Sequence, residues 1–93
     1  MEIIIEEYTG TFAENKDTAK KLREGLIKPI VYIKEKVTLN FTNIDSTTQS
    51  FIHALISEIC QKNGEEALEY LEFKSCNKAV KSIVKTVINY SLD

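Results

Sequence analysis

A cluster of polar residues near the middle of the chain has the residue types and spacing that chemistry would need. Its hydroxyl members follow Asp45 and precede His53, the only histidine. A serine next to a histidine is the minimum for a base-activated nucleophile, but a third group must orient the imidazole. No such group lies close in sequence, so we expect no catalysis here. The hydroxyl residues are Ser46, Thr47, Thr48 and Ser50.

These hydroxyls have two alternative uses. As phosphoacceptors, they would carry an added charge of about −2 near the N-terminus of the following helix, where free N–H groups and the helix dipole favour anions. As helix caps, Ser46 and Gln49 match a capping box, and Thr47 and Thr48 compete for the same role. On the residues alone, the capping use is favoured over phosphorylation. We expect a partner to bind at the loop and the outward side of this helix, through Asp45, Gln49, Ser50, His53 and Ser57.

Metal and nucleotide chemistry lack the residues they need. The three glycines are isolated, so neither common phosphate-binding loop motif is present. One histidine and two separated cysteines do not have metal-ligand spacing. We therefore expect no metal and no cofactor. Cys60 and Cys76 are predicted to be free, buried or half-buried thiols rather than a disulfide.

Length and charge limit the number of domains and the remaining classes of function. A chain of 93 residues fits a single domain spanning 1–93. Its 43% hydrophobic and 28% charged residues are ordinary for a globular protein. The net charge of −2 gives no reason to expect binding to nucleic acid or to an anionic membrane. With no membrane-spanning run and no signal peptide, we expect a cytoplasmic protein.

Hydrophobic periodicity predicts alternating strands and helices. A first strand begins at Ile3 and runs to about Tyr8. The first helix is capped by Thr11, Asn15 or Asp17, and Pro29 kinks it or ends a first segment. Its predicted buried face is Ala19, Leu22, Leu26, Ile30 and Ile33.

The second half repeats the alternation. Residues 37–41 alternate as a strand, and a polar loop leads to a helix from about Thr48 to Lys62 that ends at Asn63–Gly64. Residues 67–74 are predicted to be a third strand, and Asn77 to cap the last helix. The predicted fold is a small βαβαβα domain of the α/β class with a mostly parallel three- to four-stranded sheet. The last helix has the predicted inward residues Ala79, Val80, Ile83, Val84, Val87 and Ile88.

Residues of the central strand, loop and helix resemble a known family. The strand ending in Leu39–Asn40–Phe41, the loop Ile44–Asp45–Ser46 and the helix opening at Ser50–Phe51 are similar to the STAS-like domains, small relatives of bacterial anti-anti-sigma factors. Gly10 after the first strand and residues 77–80 also fit that layout. The resemblance extends over nearly the whole chain and rests on hydrophobic spacing.

The resemblance implies a non-enzymatic regulatory switch. Anti-anti-sigma factors bind a histidine-kinase-like ATPase that phosphorylates a serine at the start of the second helix and so releases the partner. Matching the family's Asp-Ser-Ser/Thr-Gly motif makes Ser46 the phosphoacceptor but needs a loop shortened by three residues. Ungapped matching places residues 48–50 there instead. Two departures are Asn40 in place of the usual aspartate and Thr48 in place of glycine.

Three functions follow, in order of preference. The first is an anti-anti-sigma-like partner-switching module, a monomer or weak homodimer, that pairs with a histidine-kinase-like ATPase. The second is a constitutive interaction subunit with the same fold and no covalent switch. The third is a nucleotide-binding or small-molecule-binding domain that uses the same loop.

Overall fold

Three short strands form the central sheet in the order β1–β3–β5. In the computed structural model, which describes residues 1–93, β1 is Glu2–Ile4, β3 is Val37–Asn40 and β5 is Leu71–Lys74. Both pairings are parallel, with Leu39 opposite Ile3 on one side and opposite Phe73 on the other. A second parallel pair joins β2, Phe12–Ala13, to β4, Ser46–Thr47. The predicted α/β class and mostly parallel sheet are confirmed.

Helical segments connect the strands. Between β1 and β2 lies a single turn, α1, Glu6–Thr9. Helix α2 occupies residues 16–32 and α3 residues 49–63, and each contains a π-helical segment, Arg23–Ile27 and His53–Ser57 respectively. A 3₁₀ turn, Gly64–Glu66, leads into α4, Ala67–Tyr70, and the last helix α5 is Lys78–Ser91.

Alternation along the strands separates a covered face of the sheet from an open one. On the covered face Ile3, Val37, Leu39 and Leu71 are buried within a hydrophobic core of 23 residues. On the opposite face Glu2, Glu72 and Lys74 are exposed. Because the strands follow each other across the sheet in chain order, right-handed crossovers place both connecting helices on one face. The helices therefore cover one side only.

Asn40 is a buried polar residue on the open face of the sheet. It is only 8% exposed, and its side-chain amide donates to the Glu2 carboxylate at 3.2 Å. Its carbonyl oxygen accepts from both the backbone N–H and the hydroxyl of Thr42. Lys74 also contacts the Glu2 carboxylate, at 3.3 Å. An amide fits here because it donates to one neighbour and accepts from the other, which a carboxylate cannot do.

The first strand is shorter than predicted. It ends at Ile4, and the predicted extension to Tyr8 is wrong. The Ile5 N–H still bonds to the Asn40 carbonyl, but the Ile5 carbonyl accepts from the N–H groups of Tyr8 and Thr9, which closes the turn α1. Two glutamates in this turn favour helix over strand, and Gly10 ends it with a positive φ of 70°.

The third predicted strand is also half helical. Only Leu71–Lys74 is extended, and Ala67–Tyr70 forms α4. Alanine, leucine and glutamate are good helix formers, and Ala67 is fully buried in this turn. The polar loop before α3 also contains a short strand, β4, that is not predicted. Local sequence does not indicate it, because its pairing partner β2 lies more than thirty residues earlier in the chain.

Pro29 does not end the first helix. The chain stays helical to Tyr32, and the proline is the second residue of the α-helical segment that follows the π-helical one. Asn15 is the cap, with its side chain accepting from Asp17 and Thr18 N–H groups.

Two residues that are predicted to be buried are exposed. Ile33 lies just beyond the helix and is 59% exposed, so its predicted burial is wrong. Ala79 lies in the first turn of α5 and is exposed, so its predicted burial is also wrong.

Replacing Asn40 tests the network on the open face. We expect Asn40→Asp to lower the free energy of unfolding at neutral pH by about 1–2 kcal/mol, because the new carboxylate faces Glu2 in place of a donated hydrogen bond. Urea denaturation measures the change. The double variant Glu2→Gln with Asn40→Asp restores a donor–acceptor pair and should recover most of the loss. Equal unfolding midpoints for Asn40→Asp and the unmodified chain would contradict this account.

Candidate functional site

Three helix N-termini meet the carboxyl ends of the strands. Asn15 follows β2, Thr48 follows β4 and Asn77 follows β5, and each caps the helix that begins there. The Asn77 cap, which the sequence predicts, accepts from the Val80 N–H at 2.9 Å. Among the competing caps of α3, the structure selects Thr48, whose hydroxyl oxygen accepts from the Phe51 N–H at 3.1 Å. Parallel pairing thus places the predicted site at an edge where three helices start.

The loop before α3 is firmly held on both sides. The Asp45 N–H donates to the Thr11 carbonyl at 2.8 Å. From the other side, the Asn77 side-chain amide donates to the carbonyls of Ile44 and Asp45, at 3.1 and 3.0 Å. Asn77 therefore caps α5 with its oxygen and fastens the loop with its nitrogen. The loop presents its outward side chains from a fixed backbone.

Two of the four candidate phosphoacceptors have structural roles. Thr47 is 7% exposed, and its hydroxyl donates to the Ala13 carbonyl at 2.6 Å. The Thr48 hydroxyl oxygen is occupied as the cap of α3. In contrast, Ser46 is half-buried and Ser50 is exposed, and neither side chain hydrogen-bonds to another group of the chain. The accessible hydroxyls of the cluster are therefore those of Ser46 and Ser50.

The predicted partner-binding residues divide into exposed and buried members. Asp45, Gln49, Ser50 and His53 are exposed. Ser57 is only 2% exposed, and its hydroxyl accepts from the Ser91 hydroxyl at 3.0 Å, so its predicted outward position is wrong. The end of α5 packs over this side of α3, a contact that the pattern of α3 alone does not reveal.

A groove of about 610 Å³ lies between α2, α3 and the end of α5. On its α3 side His53 contacts the last helix: its Nδ1 lies 2.8 Å from the Tyr90 hydroxyl. On its α2 side the groove is lined by Lys16 and Lys20. Most residues that line the groove are polar, and they include Lys16, Lys20, Arg23, Gln49, Ser50, His53, Glu58 and Gln61.

Arg23 joins the two walls of this groove. Its Nη1 donates to the Ala54 carbonyl at 2.7 Å, within the π-helical segment of α3. Its Nε lies 2.9 Å from Glu24 and 3.1 Å from Glu58. Burial opposes ionisation of Glu58, but the hydrogen bond from Lys28 and the charges of Lys28, Arg23 and Lys62 together outweigh it and lower the pKa of this carboxyl. Arg23 is thus committed to internal contacts, while its side chain is 16% exposed.

The two cysteines are free thiols, as predicted. Burial raises the pKa of Cys60, and it also raises the pKa of Cys76 although Lys81 opposes the shift. Both thiols are therefore protonated at neutral pH and are weak nucleophiles.

No group of three or more histidine, cysteine, aspartate or glutamate side chains is arranged to hold a metal ion. No helix has the length and apolar character needed to cross a bilayer.

Separating the two functions of Asn77 tests how the loop is held. Asn77→Asp keeps an oxygen for the Val80 N–H but loses the amide that donates to Ile44 and Asp45. We expect it to speed amide hydrogen exchange at Asp45 and Thr48 while α5 keeps its helicity. Asn77→Ala loses both contacts and should cost about 1–2 kcal/mol of stability. Unchanged loop exchange in Asn77→Asp would show that the amide does not hold the loop.

Comparison with known proteins agrees with this fold. Residues 18–81 match the model of a family described as "STAS-like domain of unknown function (DUF4325)". No curated protein and no solved structure matches the chain. The matched span begins in the first turn of α2, ends in the first turn of α5 and includes the loop and α3 between them. Because it covers more than half of the chain and confirms the resemblance seen in the sequence, the chain belongs to the family of STAS-like domains of unknown function.

Proposed function

We propose that this STAS-like domain is a non-enzymatic regulatory module that binds a protein partner, and that phosphorylation of Ser46 or Ser50 switches the binding. The proposal is supported most by two hydroxyl groups that have no hydrogen-bond partner, at an edge of the fold where hydrogen bonds from Asn77 hold the loop backbone in place. The hydroxyl groups of Ser46 and Ser50 make no hydrogen bonds within the chain, whereas those of Thr47 and Thr48 do. By analogy with anti-anti-sigma factors, the proposed partner is a histidine-kinase-like ATPase, which would supply ATP as the phosphoryl donor.

Charge explains how such a modification would act. A phosphate on Ser46 adds a charge of about −2 next to the exposed Asp45 and would repel an acidic surface that docks at this edge. A phosphate on Ser50 would instead lie in the groove that Lys16 and Lys20 also line, where the lysines would partly neutralise it. Ser46 is therefore the better switch of the two, and it is also the residue that the family motif selects.

Acidic and alanine variants of Ser46 test the switch. We expect Ser46→Asp to reduce recovery of the captured partner about tenfold or more, because it places a second carboxylate beside Asp45, while Ser46→Ala retains the partner. Tagged chains expressed in the native host, followed by quantitative mass spectrometry, measure this. Ser82→Asp and Ser82→Ala, on the exposed side of α5, provide matched controls for charge.

The same preparation tests the kinase step. Incubating the purified complex with ATP should give a phosphopeptide containing Ser46 or Ser50, and Ser46→Ala identifies which serine is modified. If neither serine is modified while partner recovery is the same for Ser46→Asp and Ser46→Ala, the covalent switch is wrong.

A constitutive interaction subunit is the second candidate. The structural roles of Thr47 and Thr48 favour it, because they account for two of the four hydroxyls without any modification. The fastening of the loop by Asn77 would then provide a permanent docking edge. Equal partner recovery from the acidic and alanine variants of both Ser46 and Ser50 would support this function over the switch.

A further inference from the structure

The groove between α2, α3 and the end of α5 has an imbalance of charge. Glu58 is the only carboxylate in its lining, and it is paired with Arg23, Lys28 and Lys62. Lys16 and Lys20 also line the groove, and neither makes a salt bridge. The chain as a whole has a net charge of −2, so this local excess of cations runs against its overall charge.

The cations form a row along one wall. Lys16 and Lys20 lie four residues apart on one face of α2, about 6 Å along its axis, and Arg23 further along is already paired with Glu24 and Glu58. The facing wall supplies neutral hydrogen-bonding groups, among them Gln49 and Ser50. Alternate side chains of an extended chain are about 6.6 Å apart, so two carboxylates separated by one residue match the spacing of the two lysines.

We propose that this groove binds an acidic, extended segment of the protein partner, with Lys16 and Lys20 pairing its carboxylates. The inference rests on the proposed interaction function, because the segment belongs to the partner. The groove would be a second binding surface beside the loop that carries Ser46. The position of Ser50 in the same groove links the two surfaces, since a phosphate there would compete with the partner's carboxylates for the same lysines.

A defined peptide tests the groove without a known partner. The probe is a capped decapeptide of alternating glutamate and serine, added to the isotope-labelled chain at low salt. We expect amide shifts to concentrate at Gln49, Ser50, His53 and Gln61 and to weaken as salt is added. The double variant Lys16→Gln with Lys20→Gln should weaken binding about tenfold, since each lost exposed pair contributes modestly.

Another lysine pair provides the matched control. Lys81 and Lys85 are exposed on α5 and line a different cavity, so Lys81→Gln with Lys85→Gln removes the same charge elsewhere. This control should leave binding unchanged. Equal weakening by both double variants, shifts outside the groove, or no shifts with millimolar peptide would overturn the proposal. The same shifts with inorganic phosphate, or with a glutamine–serine peptide, would also overturn it.

Partner capture separates this inference from the proposed switch. If Ser46→Asp releases the partner but the Lys16 and Lys20 double variant retains it, the groove proposal fails and the switch stands. If the lysine variant releases the partner while both Ser46 variants retain it, the groove proposal stands and the switch fails.

Discussion

Parallel pairing on both sides of β3 is the constraint on which the arrangement depends. Each parallel connection must return across the sheet, so each helix starts near the carboxyl ends of the strands. Asn15, Thr48 and Asn77 consequently cap their helices at one edge. The loop that carries Ser46 lies at this edge and is fastened from two directions by groups that the same pairing brings close. The predicted site follows from the topology more than from any single motif.

Local signals in the sequence were sufficient for much of the fold. The alternation through Val37 and Leu39 correctly separates the covered face from the open one, and Asn77 is recognisable as a cap from its position before an apolar repeat. The errors at Tyr8 and Ala67 have a common cause. Short segments of apolar and acidic residues suit a strand or a helical turn equally, and distant contacts decide between them.

The site was less predictable because its key contacts span long separations. The sequence predicts Thr47 to be a free loop hydroxyl, but its hydroxyl donates to the Ala13 carbonyl of β2. It predicts Ser57 to face outward, but the Ser91 hydroxyl of α5 donates to it. Helical periodicity places Arg23 on the polar side of α2, yet it donates to the Ala54 carbonyl on the next helix. Helical periodicity identifies which side of a helix is polar, but it does not identify which polar side another element will cover.

The strand order has a consequence for how the chain acquires its structure. Because β1, β3 and β5 lie in the sheet in the order in which they occur in the sequence, no strand has to insert between two others that are already paired. Each strand–helix–strand unit can be completed before the next strand is synthesised, and the sheet grows at one edge only. Such stepwise growth keeps loop closures short and leaves the outer edges of β1 and of the newest strand unpaired at each stage of synthesis.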